Sequence, residues 1–307
     1  MNSLTAWFRR GRNAVIGVPF VWLVVFFLVP FLVVLKISVS EMGNVSVNDI
    51  LTVKDGAVQL TLRGNTYYSL TQDDLYWKTY WSSIKYAAIT TFFCLAIGYP
   101  FSYFMARAKA TIQPALLMLV MLPFWTSFLL RVYAWKGLLD ENGWVWHVVT
   151  ALHLDQTLAY FEIIAAPGKL MNTPFSLVIG MVYTYLPFMI LPLYSNLAKM
   201  DLRLLEAASD LGATPLKAFW LITVPLSKAG IIAGSMLVFI PCVGEFVIPE
   251  LLGGPQTLMI GRVLWDEFFS NNDWPMASTV AVVMILLIIV PLAVFNRYQA
   301  EAQENAK

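Results

Sequence analysis

The chain has 307 residues, 59% of them hydrophobic and 13% charged, with a mean hydropathy of +0.68 and a net charge of +1. So few polar side chains cannot cover the surface of a soluble core, and a near-neutral balance without a basic face excludes an electrostatic nucleic-acid binder. The composition is that of an integral membrane protein, whose apolar faces are solvated by lipid.

A helix needs about 20 apolar residues to cross the hydrocarbon core. The first such segment, Val15 to Leu35, follows Arg9, Arg10 and Arg12 and resembles a signal peptide. Its apolar run exceeds the roughly 7 to 15 residues of a cleavable segment, so it is read as an uncleaved first span. A loop of about 45 residues follows, long enough to have structure of its own. Asp55-Gly56 and Gly64-Asn65, beside the alternating Val58, Leu60 and Leu62, predict a small β excursion there. It is either a docking surface for an outside partner or a loop packed on itself.

Five further spans follow: Ile84 to Met105, Pro114 to Trp135, Pro174 to Leu197, Ala229 to Val247 and Pro275 to Phe295. Prolines within or near the spans are tolerated where neighbouring helices satisfy the freed backbone groups. The fold class expected is therefore an all-α integral membrane protein of six transmembrane helices. Residues 15–297 form its membrane domain, 1–14 an N-terminal segment and 298–307 a tail. Cys94 and Cys242 fall inside apolar segments, where each packs as a small hydrophobe. His147 and His153 lack a partner set for a metal, and none is expected.

Basic residues accumulate on the cytoplasmic side. With the N-terminus inside, that side receives Arg9, Arg10, Arg12, Arg107, Lys109, Lys199, Arg203, Lys217, Lys228, Arg297 and Lys307, about twice as many as the other. The other side holds Lys54, Arg63, Lys78, Lys169 and Arg262. Six crossings place the C-terminus inside as well. The stretch between spans four and five, residues 201–225, is then cytoplasmic. Asp201 is suited to cap a short helix that runs through Leu211, and Gly212 to the left-handed position that ends it. Thr214 is suited to cap a second helix with Pro215 at its first position. Two short helices joined at a glycine bend present a compact knob.

In this stretch Glu206-Ala207-Ala208, three residues, Gly212, nine residues and Ile222-Thr223-Val224-Pro225 resemble the EAA signature of permease subunits of bacterial ABC importers, with Val224 in place of the usual Leu. The resemblance implies a type I importer permease fold. It also implies that the first short helix is a coupling helix seated in a groove of a separate ATPase subunit. Glu206, Ala207, Ala208, Asp210 and Gly212 are the residues expected to carry that contact. Two more stretches, LPFWTSFLLRVYAW (Leu122 to Trp135) and GEFVIPELLGG (Gly244 to Gly254), are similar to permeases of polyamine importers that take up putrescine or spermidine. Putrescine is favoured. The implied complex pairs this chain with a second, related permease, two ATPase subunits and a periplasmic polyamine-binding protein in the bacterial inner membrane. ATP and Mg are used by the partner subunits, and this chain has no P-loop and binds no cofactor.

A path for a polyamine needs carboxylates and aromatic faces to offset the desolvation of its ammonium groups. Glu245 and Glu250 at the outer end of the fifth span are the candidate acids, each alternatively a solvated interfacial residue. Trp125, Tyr133 and Trp135 of the third span are the candidate rings, alternatively an aromatic belt. Arg131 is expected to snorkel or to pair with Glu245 as a gate. The same architecture also serves other solutes, such as iron, phosphonate or sulfate. Oxyanions favour a basic lining, against the two acids. An intramembrane enzyme needs clustered polar groups facing one cavity, which the spans lack.

Overall fold

The computed structural model describes residues 15–43, 51–54, 57–60 and 64–304. They form two compact units. The first comprises the described residues up to 74 together with 264–285, and the second comprises 75–263 and those from 286 onward.

The first unit opens with α1 (Val15–Ser38), whose mean hydropathy of 2.9 marks it as membrane-spanning. None of its most apolar stretch is buried within the chain. The β excursion is present as an antiparallel hairpin, β1 (Leu51–Lys54) and β2 (Ala57–Leu60), with Leu51 opposite Leu60 and Lys54 opposite Ala57. Asp55 and Gly56, read from the sequence as its turn, lie outside the described residues. After it, α2 (Asn65–Gln72) is tied to the end of α1 by a buried polar clasp. Ser38 shares a 2.9 Å hydrogen bond with the Tyr67 hydroxyl, and the Ser38 carbonyl accepts from the hydroxyls of Thr66 (3.0 Å) and Thr279 (3.2 Å).

The second unit is built around two long helices, α3 (Asp74–Arg107) and α8 (Pro174–Leu197). Asp74 in the first turn of α3 and Arg107 in the last complement its dipole. Between them lie α4 (Gln113–Met121), α5 (Phe128–Leu139), α6 (Trp144–Ala151) and α7 (Leu154–Tyr160). After α8 come α9 (Arg203–Asp210), α10 (Pro215–Leu226), α11 (Lys228–Val243), α12 (Val247–Leu252) and α13 (Ile260–Trp265). The last helix, α14 (Trp274–Glu304), continues well past the Phe295 expected as its end.

Helix α8 begins at Pro174 as predicted, behind a Thr173–Ser176 capping box. It presents a ridge of buried residues four apart: Leu177, Met181, Tyr185, Met189, Leu193 and Leu197. The facing ridge of α11 is Gly230, Gly234, Val238 and Cys242, also four apart, and the two interdigitate. The glycines let the backbones close. A β-carbon on Gly234 would lie 2.8 Å from Met189 Sδ and 3.1 Å from its carbonyl oxygen, and one on Gly230 would lie 2.8 Å from Asn196 Cβ. Helix α3 packs on α8 as well, with Ser102 Oγ donating to the Ile190 carbonyl at 3.1 Å.

Two of the six expected spans differ from continuous helices. The third, read from Pro114 to Trp135, is broken at Thr126–Ser127, and its halves diverge by 90°. Pro123 and the extended Thr126 and Ser127 end the first half, and a new helix starts at Phe128. The fifth, read from Ala229 to Val247, stops at Val243 because Gly244 to Phe246 leave the helix. Its 16 residues span about 24 Å, short of the hydrocarbon thickness of about 30 Å. Thus α1, α3, α8 and the apolar part of α14 are long enough to cross alone, and counting each bent pair as one span gives six.

Gly234→Ala is expected to lower the thermal stability of the detergent-purified protein by about 1–3 kcal/mol, the usual cost of overpacking. Gly234→Leu, which cannot be absorbed by moving Met189 alone, is expected to prevent recovery of folded protein; size-exclusion profiles and melting curves check both.

Candidate functional site

The stretch after α8 folds as its capping residues dictate. Asp201 Oδ1 accepts from the Arg203 N–H at 3.0 Å and starts α9. At its end the Gly212 N–H bonds the Ser209 carbonyl and the Ala213 N–H bonds the Ala208 carbonyl, both at 2.9 Å, the paired bonds of a Schellman turn. Gly212 has φ of 81°, and nothing lies within 4 Å of where its β-carbon would stand, so backbone conformation rather than space requires glycine there. Thr214 Oγ1 then accepts from the Lys217 N–H, with Pro215 at the first position of α10.

The resulting knuckle has a marked division of faces. Ala208 is buried and Ala207 exposed, since successive helical residues point about 100° apart. The sequence reading gave both alanines to a partner; only Ala207 is available. Beside it Arg203, Glu206 and Asp210 are exposed and form no ion pair among the described residues. Leu204, Leu211 (89% exposed) and Leu216 are also uncovered, an unusual amount of apolar surface for so polar a segment.

The second candidate region is the break after α11. Glu245 is buried, with its carboxylate turned onto the start of α12. Oε1 accepts from the N–H groups of Phe246 (3.2 Å), Val247 (3.0 Å) and Ile248 (3.4 Å), and Oε2 accepts from the Tyr185 hydroxyl of α8. The groups freed by the break are thereby satisfied, with negative charge at a helix N-terminus. The segment beyond is pinned twice more: Ser176 Oγ donates to the Leu252 carbonyl at 2.6 Å, and the Ile260 N–H donates to Ser83 Oγ at 2.8 Å. Gly180 and Gly261 allow the approach, because a β-carbon would lie 2.4 Å from Leu252 Cδ1 or from the Gly244 carbonyl, respectively. Glu250 points the other way. It is half exposed, and Arg262 Nε lies 2.7 Å from its Oε2.

The expected pairing of Arg131 with Glu245 is not found. Glu245 is occupied by Tyr185 and backbone N–H groups, while Arg131 lies with its guanidinium 6.0 Å from the Phe128 ring and its buried Nε unpartnered. The cation that meets an acid in this region is Arg262, which the sequence reading noted only as an outer-loop charge. The three candidate rings do not converge within the chain. Trp125 and Tyr133 are exposed, whereas Trp135 packs edge-on against Tyr183 at 5.4 Å, beside a core of Leu139, Val149, Ile164 and Leu170. Tyr185, Ser83 and Ser176 were not anticipated, because a hydroxyl in an apolar run has no spacing that announces its partner.

Sequence and fold as a whole relate the chain to known proteins. Residues 95–302, about two-thirds of the chain, match the model of the binding-protein-dependent transport system inner membrane component family. The chain belongs to this family. This permease is 37% identical to the spermidine/putrescine transport system permease protein PotB of Haemophilus influenzae, over 97% of each chain. It is 36% identical to PotB of Escherichia coli, over 90% of this chain and 93% of that one. The inner membrane ABC transporter permease protein YdcU of E. coli is 32% identical over 71% and 70%. In fold, the permease is similar to a crystallised bacterial ABC transporter involved in import of the acidic polysaccharide alginate, with a TM-score of 0.61, 15% identity and coverage of 97% and 98%. An inward-facing methionine ABC transporter, MetNI, gives 0.51 at 15% identity, over 77% of this chain and 97% of that one. The protein is a non-catalytic, multi-pass inner-membrane permease subunit of an ABC importer, with the type I fold.

Replacing Glu245 with Ala is expected to cost about 3 kcal/mol or more, since charge-assisted bonds to several buried donors are lost together. Glu250→Gln is expected to cost less than about 1 kcal/mol, as for other half-exposed pairs. Thermal melts of the two purified variants side by side check the contrast.

Proposed function

We propose that this permease forms half of the path by which a polyamine enters the cell, and that α9 couples the path to a separate ATPase subunit. The observation that carries the coupling reading is the knuckle itself: a doubly capped, glycine-ended turn that exposes Ala207, Leu204 and Leu211 beside Arg203, Glu206 and Asp210, which have no ion partner among the described residues. Compactness suits a groove, uncovered leucines suit burial, and unpaired charges suit charge-assisted bonds at its rim. Relatives named for spermidine and putrescine transport, similar over nearly the whole chain, support the substrate class. Putrescine is our first choice. It has one ammonium fewer to desolvate than spermidine, and Glu250 offers a half-exposed acid after α11.

In this reading the partners are two ATPase subunits, which use ATP and Mg, a second related permease and a periplasmic polyamine-binding protein. ATP closes the ATPase pair, the coupling helices swing together, and the path turns outward to receive the substrate. Hydrolysis resets it. Both termini lie in the cytoplasm, which agrees with the basic residues. Arg107, at the end of α3, stacks on Tyr103, whose ring meets Phe219 just after the knuckle, so α3 ends on the knuckle's side. An ammonium of the substrate competes with Arg262 for Glu250, which takes the gating part the sequence reading gave to Arg131 and Glu245.

Co-purification from membranes and uptake of radiolabelled putrescine and spermidine by a strain lacking the gene test these assignments. Glu206→Lys and Gly212→Pro are each expected to weaken ATPase association by about 10- to 100-fold, equivalent to about 1.4–2.8 kcal/mol, and to abolish uptake while the permease remains inserted. A fully active, intact complex from either variant sinks the coupling assignment.

A further inference from the structure

Helix α10 leaves the knuckle and meets α11 at a 64° bend centred on Ser227. Its middle is a widened π turn, Phe219–Thr223, and the Thr223 hydroxyl is buried without a hydrogen-bond partner. Widened turns and unpartnered buried hydroxyls are costly in a packed interior and recur where a segment has a second arrangement to adopt. A hinge of this kind, left alone, would fold further when the knuckle was pushed and absorb the displacement.

Helix α3 braces it. Tyr99, Tyr103 and Arg107 are spaced four apart and so lie along one face. The Tyr99 hydroxyl and Ser227 Oγ are 2.8 Å apart in a buried contact. Ser227 gives its own hydrogen to the Val224 carbonyl at 3.0 Å, so in this pair Tyr99 donates and Ser227 accepts. The Phe219 ring meets Tyr99 edge-on at 5.6 Å and Tyr103 at 6.0 Å, and Arg107 covers Tyr103 at 5.1 Å. One end of the hinge is thus wedged between two rings of α3 and the other is tied to the same helix by a directional bond.

We propose that this clasp is the joint through which displacement of the knuckle enters the membrane helices: Tyr99 and Ser227, with Phe219 as the wedge, make α3 and α11 move together. The inference rests on the coupling reading of α9. Tyr99 and Ser227 are both buried and are positioning residues in this role.

The test uses the whole complex in proteoliposomes, with ATP hydrolysis and entry of radiolabelled putrescine measured on the same preparation. Tyr99→Phe keeps the ring contacts and removes the bond, and Ser227→Ala removes the same bond from the other side. Both are expected to retain the ATPase and hydrolyse ATP at near wild-type rates, while putrescine moved per ATP falls by about 10-fold; the double variant is expected to fall no further, because coupled residues are non-additive. Unchanged putrescine per ATP in both single variants overturns the joint. So does a loss that merely tracks the amount of folded protein. Glu206→Lys, run alongside, separates the two readings: it is expected to weaken ATPase association by the same factor of about 10- to 100-fold, and if it keeps a fully associated, productive ATPase, the coupling reading and the joint fall together.

Discussion

Within hydrocarbon, a helix cannot simply stop, because no water is present to take up the N–H and C=O groups that a break exposes. This permease breaks its membrane helices repeatedly, and at each break a side chain stands in for water. At Thr126 the hydroxyl returns to the Pro123 carbonyl at 2.9 Å. At Ser227 the hydroxyl bonds Val224. After α11 the Glu245 carboxylate collects three backbone N–H groups, and farther along Thr257 Oγ1 accepts from the Gly254 N–H at 2.7 Å.

The same breaks divide the molecule mechanically. Helix α8 is the fixed element, buried along an unbroken ridge from Leu177 to Leu197 and clasped by the glycines of α11. Around it are short rods joined at bends of 64° and 90°. Packed ridges resist continuous deformation, so the bends are the places where one rod can turn relative to another. Two widened turns follow the same local rule. In α1 and in α10 a proline stands two residues past a widened turn, Pro30 after Val24–Leu28 and Pro225 after Phe219–Thr223. The ring leaves no N–H to donate and crowds the preceding turn, which opens to make room.

Hydropathy located four helices long enough to cross and the two bent pairs because burial in lipid is written in composition, and the knuckle was legible to its caps because Asp201, Gly212, Thr214 and Pro215 act through their own backbone neighbourhood. The hairpin was legible for the same reason. The breaks at Ser127 and Gly244 were not, since an apolar run reads alike whether it is straight or bent, and what permits a bend is a hydroxyl or carboxylate supplied from elsewhere. Tyr185 and Glu245 are 60 residues apart in sequence, and Ser83 and Ile260 are 177 apart. The Arg131 pairing failed on this account: proximity along neighbouring spans was taken for contact, while Glu245 faced the helix end it serves.

The two acids after α11 illustrate how burial assigns roles to chemically similar groups. Glu245 holds four hydrogen bonds in a dry setting, and an arriving ammonium would have to break several of them before gaining anything. Its charge is committed to structure. Glu250 is bound by a single cation at a half-exposed site, where an ion pair contributes little net free energy and exchange of one cation for another is close to neutral. A transported cation has to be both accepted and released. Under the proposed path, an acid already paired with an arginine would meet that requirement, because one cation would replace the other and the carboxylate would not be buried alone.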